Sequence, residues 1–172
     1  MNLLEKIKFQ FPNIDKDLYL NLDSIVFRSS LPRNDVMGIS LSAACTIGNK
    51  ILIKIFQDEL NELDAKAAIN AALIMGMTNT WYEYVHMVDT NNTEQWQPNF
   101  RMSSYTSNSN IEKYRFEQFV LAASIIGKCR FCTISHYNNL IKSNDVDKEN
   151  LKNIGRIVAV IRSLSIYVNT LQ

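Results

Sequence analysis

Glycine and proline are scarce in this 172-residue chain, five and three respectively, and their scarcity excludes a sandwich or barrel of many short, turn-linked strands. An excess of one charge is also lacking: 18 Lys and Arg face 17 Asp and Glu. No basic stripe alternates with aromatics, so no nucleic-acid partner is expected. No run approaches the roughly 18 apolar residues of a membrane helix. Glu5, Lys6 and Lys8 interrupt the first apolar stretch, where a signal peptide would need an unbroken one. There are only three cysteines, two of them separated by two residues, too few for an extracellular disulfide framework. The expectation is a cytoplasmic protein with no membrane partner and a cysteine pair kept for redox or metal chemistry.

Apolar residues, 47% of the chain, recur at helical spacing almost throughout. The pattern predicts an all-α domain of six to eight helices. Helices are expected over 3–11, stopped by Pro12, over 14–27 and 34–46, and over 50–60 after Gly48. A long one should run from an Asp64 N-cap to Val88, and others over 111–126 and 129–143, with Gly127 as a break. Asp147 should cap a last helix ending near Asn169. The Asn-, Ser- and Thr-rich stretch 89–110, with Pro98, reads as a surface linker.

Ala71, Ala72, Ile74 and Gly76 reappear 51 positions later as Ala122, Ala123, Ile125 and Gly127, which suggests two related halves, 1–95 and 96–172. At that offset Lys66 matches Glu117, Thr78 matches Cys129, Trp81 matches Cys132 and Val85 matches His136. Only the second half would then carry chemistry, the first serving as scaffold.

Cys129 and Cys132 lie one helical turn apart, with His136 a further four residues along the same face. A helix start lowers a thiol's pKa through its free N–H groups and dipole, and Lys128 and Arg130 act in the same direction. The dipole favours Cys129 as the thiolate and the histidine favours Cys132, so local physics leaves the nucleophile open. Glu117, on the preceding helix, could orient His136 and complete a carboxylate–imidazole–thiol relay. Zinc held by Cys129, Cys132, His136 and Glu117 is a competing reading, as is a non-catalytic helical adaptor. Haem attachment fails because Thr133, not histidine, follows the second cysteine. Cys45 and His86 read as structural, and Trp81, Tyr82, Tyr84 and Met87 as core or subunit contacts.

A glutamate, then C-x-x-C, then histidine four residues later resembles the alkylhydroperoxidase D (AhpD) family of the carboxymuconolactone decarboxylase-like superfamily. Here those residues are Glu117, Cys129, Cys132 and His136. The segments 21–25, 72–77 and 100–102 are similar to family segments too. The resemblance implies an all-helical, two-lobed subunit that associates as a homotrimer, and an antioxidant thiol-disulfide oxidoreductase with weak alkyl hydroperoxidase activity. It makes Cys132 the attacking sulfur that forms a sulfenic acid or mixed disulfide, and Cys129 the proton donor and resolving thiol that closes the redox disulfide. His136 becomes the base and proton relay, oriented by Glu117. No bound cofactor or metal is implied. Electrons would come from a dihydrolipoyl group on a lipoylated carrier protein, ultimately from NADH, and pass to a partner peroxiredoxin, alkyl hydroperoxide reductase C. Phe131 departs from the pattern, standing where close members place a second histidine. The carboxymuconolactone decarboxylases lack the C-x-x-C pair, which argues against a decarboxylase.

Overall fold

Asn2 and Glu5 begin the first helix reciprocally: each side chain accepts the other's backbone N–H, at 2.9 and 2.8 Å. In the computed structural model, which describes residues 2–88, 96–103 and 111–171, all regular structure among the described residues is helical. Helix α1 spans Leu3–Gln10 and α2 Lys16–Asn21, the latter capped by Asp15. The helix expected over 14–27 is divided. Its second part, Leu22–Phe27, widens into a π-helical turn closed by Arg28 N–H donating to Asp23 O. Ser24 Oγ bonds back to Leu20 O there, a contact that competes with regular α geometry.

Helices α3 (Arg33–Ile47), α4 (Lys50–Gln57) and α5 (Glu62–Val88) follow, then α6 (Lys113–Ile126), α7 (Arg130–Ser143) and α8 (Lys148–Asn169). Every residue from Asp35 to Ala44 in α3 and from Phe116 to Ser124 in α6 is buried. These two helices, with α5, form the centre. Gly38 lets them approach closely, since a β-carbon there would fall 2.2 Å from the Phe119 ring. The outer helices are one-sided: α4 buries Leu52 and Phe56, and α8 buries Leu151, Ile154, Val158, Ile161, Leu164 and Val168 against α3 and α6.

Asp64 is not a cap. Helix α5 begins two residues earlier, Asn61 accepts the Asp64 N–H at 2.9 Å, and the Asp64 carboxylate is buried against Arg115 at 2.8 Å. Arg115 also pairs with Asp35, so one guanidinium ties α6 to α5 and α3. The expected linker 89–110 falls largely outside the described residues. Its described part, 96–103, sets Trp96 and Phe100 beside Trp81 of α5, with ring centroids 6.5 and 6.1 Å apart.

The sequence echo does not mark equivalent positions. Gly76 lies inside α5, whereas Gly127 follows the end of α6. The correspondence the backbone displays is between the α3–α4 and α6–α7 turns. In each, a residue at positive φ (Gly48, Lys128) precedes an extended cap (Asn49, Cys129) that opens the next helix.

Candidate redox site

Helix α6 delivers the chain to the site through a tight turn. Gly127 has ordinary negative φ, and its role is space: a β-carbon there would lie 2.1 Å from the Asn79 amide, which reaches from α5 to donate to Ala123 O. The left-handed position is Lys128, at φ 57°. Cys129 is then the N-cap of α7, its Sγ accepting the Cys132 N–H at 3.2 Å as an Asn or Ser oxygen would. Glu83 of α5 takes the first free donor of the helix, the Arg130 N–H, at 3.3 Å.

Cys129 and Cys132 form a disulfide across this first turn, their Cα atoms 5.3 Å apart. Both are buried, at 0% and 3% exposure. They sit in the positive field of the α7 N-terminus, which favours thiolate once the bond is reduced. In this disulfide form no group of three or more His, Cys, Asp and Glu among the described residues is disposed to hold a metal ion.

One turn further, His136 Nδ1 lies 2.7 Å from Oε1 of Glu117 on α6, a carboxylate that is 4% exposed. Against a carboxylate oxygen Nδ1 is the donor, which leaves Nε2 as the acceptor of the neutral ring. Asn139 Nδ2 donates to the same carboxylate oxygen, also at 2.7 Å. Sequence reasoning missed Asn139, although its three-residue spacing from His136 was a usable signal.

Cys132 and His136 open onto one cavity of about 180 Å³. Its other walls include Ile74, Met75, Thr78 and Tyr82 of α5, and Met102. The first half is therefore more than scaffold, since α5 builds one side of the cavity. Phe131 is 60% exposed, its ring 4.7 Å from that of Tyr82 at the rim. Of the other residues singled out from sequence, His86 and Met87 are exposed and Cys45 is a free, partly buried thiol on α3. Trp81 and Tyr84 belong to the aromatic cluster with Trp96.

No protein-family model matches the chain. Curated relatives do. A protein of Coxiella burnetii (strain RSA 493 / Nine Mile phase I) named alkyl hydroperoxide reductase AhpD is 35% identical over 170 residues, 95% of each chain. Proteins of the same name from Rhodospirillum centenum and Streptomyces griseus are each 32% identical. They match over 94% and 95% of this chain and 88% and 93% of their own lengths.

Proposed function

The chain belongs to the alkyl hydroperoxide reductase AhpD family, and from that premise we propose that it is a dithiol enzyme that passes electrons from a dihydrolipoyl donor to a peroxiredoxin or a hydroperoxide. What carries this reading is the closed Cys129–Cys132 pair at a helix start, with His136 held beside Cys132 by a buried carboxylate.

In the reductive half, a thiolate of the dihydrolipoyl group attacks the disulfide, and its second thiol displaces the enzyme sulfur. The enzyme dithiol and a lipoyl disulfide result, with two electrons and two protons transferred. In the oxidative half the Cys132 thiolate attacks an oxidised peroxiredoxin cysteine, and Cys129 closes the disulfide to release the reduced partner. Toward a hydroperoxide, Cys132 takes one oxygen as sulfenic acid and the alkoxide leaves as alcohol after protonation. Cys129 then condenses with the sulfenic acid, expelling water. His136, hydrogen-bonded through Nδ1 to Glu117, accepts the thiol proton at Nε2 and returns it to the leaving group. Because Phe131 supplies no second proton carrier, peroxide cleavage should be the weaker activity, and Phe131→His should raise it more than it raises disulfide reduction.

The exposed α5 side chains Leu73, Met77 and Met87 support assembly as a homotrimer, since apolar groups in a row favour a partner surface. With a lipoylated carrier, a peroxiredoxin and an NADH-fed reductase as its partners, the proposed enzyme would work in the cytoplasm. No described helix is long and apolar enough to cross a membrane.

The deciding experiment is trapping. Cys129→Ser should accumulate a mixed disulfide between Cys132 and the oxidised peroxiredoxin, and Cys132→Ser should accumulate none and lose turnover with a lipoylated carrier. Adduct formation only through Cys129 would reverse the assignment, and undiminished turnover in both variants would end the redox reading.

A further inference from the structure

Resting on the relay proposed above, we infer that Asn139 is a positioning residue for the Glu117–His136 pair. Its amide keeps the carboxylate ionised and in place, and so fixes the imidazole that serves Cys132.

Asn139 lies one turn beyond His136 on α7. Its Nδ2 and the His136 Nδ1 both meet Glu117 Oε1 at 2.7 Å. Two donors from one helix clamp a single oxygen presented by its neighbour. Hydrogen bonds to a carboxylate favour its charged form. An oxygen held from two sides also holds the ring plane and the tautomer, leaving Nε2 as the acceptor.

Glu117 and Asn139 together line a second cavity, of about 360 Å³, separate from the one that holds Cys132 and His136. Its charged and titratable border is Lys113 and Tyr114 from α6, with Lys142 of α7 and Asp145 beyond it. Tyr82 of α5 stands on the opposite, sulfur side. Water in this polar cavity would compete with His136 for the carboxylate. Asn139 answers that competition with a fixed donor.

Asn139→Asp keeps the shape and removes the N–H. At low pH the introduced carboxyl and Glu117 share one proton, so the clamp is preserved and His136 faces a single negative charge. As pH rises the introduced group ionises, repels Glu117 and opens the clamp. Lys113 and Lys142 soften the repulsion but stay charged throughout, so they do not supply its pH dependence. Asn139→Leu keeps bulk without a donor at any pH.

The chain has two histidines, so the His136 Nδ1–H can be followed by nitrogen-edited NMR on the full chain in its disulfide form. The expected result is a signal protected from solvent exchange in the wild type, protected only at low pH in Asn139→Asp, and lost in Asn139→Leu. In the same samples kcat should fall about tenfold in Asn139→Leu with KM unchanged, the scale of one hydrogen bond to a charged group. Asn139→Asp should lose activity relative to wild type only as pH rises. Parallel behaviour of Asn139→Asp and wild type at every pH, or a protected signal in Asn139→Leu, would overturn the inference. The predicted signal pattern in a protein that reduces neither disulfide nor peroxide would sink the proposed function alone and support the positioning role.

Discussion

Gly48 and Lys128 both adopt the left-handed conformation, at φ 82° and 57°, and each precedes an extended cap residue. The Asn49 side chain accepts the Leu52 N–H at 3.0 Å, and the Cys129 sulfur accepts the Cys132 N–H at 3.2 Å. Eighty positions separate the two turns, and the same spacing pairs Met37 with Glu117 and Phe56 with His136. In the first turn all these positions serve packing: Met37, Leu52 and Phe56 are at most 1% exposed, and Asn49 also bonds Ser165 and Asn169 of α8. In the second, the same backbone frame carries two thiols, an imidazole and a carboxylate. Glycine and asparagine suit a left-handed residue and an N-cap, whereas lysine and cysteine do not. The working turn thus gives up local stability where the packing turn does not, a conflict between local rule and fold that gathers at functional sites.

The sharpest way to break this comparison is to rewrite the second turn as the first. Glu117→Met with His136→Phe should slow disulfide exchange by about 10²- to 10⁴-fold, the usual worth of a positioned acid–base pair. Stability in a urea melt should hold or rise, because an apolar pair replaces a buried polar one. Glu117→Met alone should be less stable than the double variant, since only the single one leaves the His136 ring without its acceptor. A double variant as unstable as the single one would show that the two turns are not interchangeable frames.

The next largest effect concerns Asp35 and Arg115, which occupy equivalent positions of the two central helices and pair with each other. Arg115→Ala leaves Asp35 and Asp64 buried without their cation and should cost about 3–5 kcal/mol in a chemical melt. A loss under about 1 kcal/mol would mean that packing alone joins the helices.

Legibility from sequence followed the same division. Helix α8 was readable to its last residue because Asp147 caps it and one face is apolar. The C-x-x-C-x3-H pattern placed the sulfurs and imidazole on one face because helical spacing is fixed. Helices α3 and α6 are buried on all sides and have no polar face to set their phase, so their partners could not be read. The turn correspondence was hidden because the frame repeats while the residues filling it do not. The 51-residue echo drew attention instead because small residues recur wherever helices pack closely. Asp64 was misread because the residue type that caps helices can also serve a buried ion pair, and Asn139 was missed because its three-residue spacing from His136 has meaning only once the Glu117 carboxylate is known to face both.

Cys45 tests the packing side of the comparison. It sits on α3, where burial pushes its thiol from the usual 9.0 up to about 11. At pH 8 it should be alkylated roughly 100-fold more slowly than an ordinary cysteine, because the thiolate is the reactive form. The folded state holds this proton more tightly than the unfolded chain. The resulting stability is present below pH 9 and is lost as pH rises through about 11. Rapid labelling at pH 8 would instead make Cys45 a third working thiol.

The smallest effect lies at Lys128, where the cost of the working turn can be measured directly. A non-glycine residue at left-handed φ is strained by about 1–2 kcal/mol, because its β-carbon crowds the following carbonyl. Lys128→Gly removes that strain but adds a second glycine beside Gly127 and loosens the unfolded chain, which offsets part of the gain. The net expectation is a stabilisation of about 0.5–1 kcal/mol in a thermal or urea melt. The ammonium is lost as well, and with it a charge that favours the nearby thiolate, so exchange at neutral pH should slow slightly and recover as pH is raised. Lys128→Asn separates the two effects, since asparagine tolerates the same conformation without charge. If both variants gain stability and share the shift in pH dependence, Lys128 is present for its charge at a conformational cost. If neither becomes more stable, the left-handed turn is not strained, and the second turn differs from the first in chemistry alone.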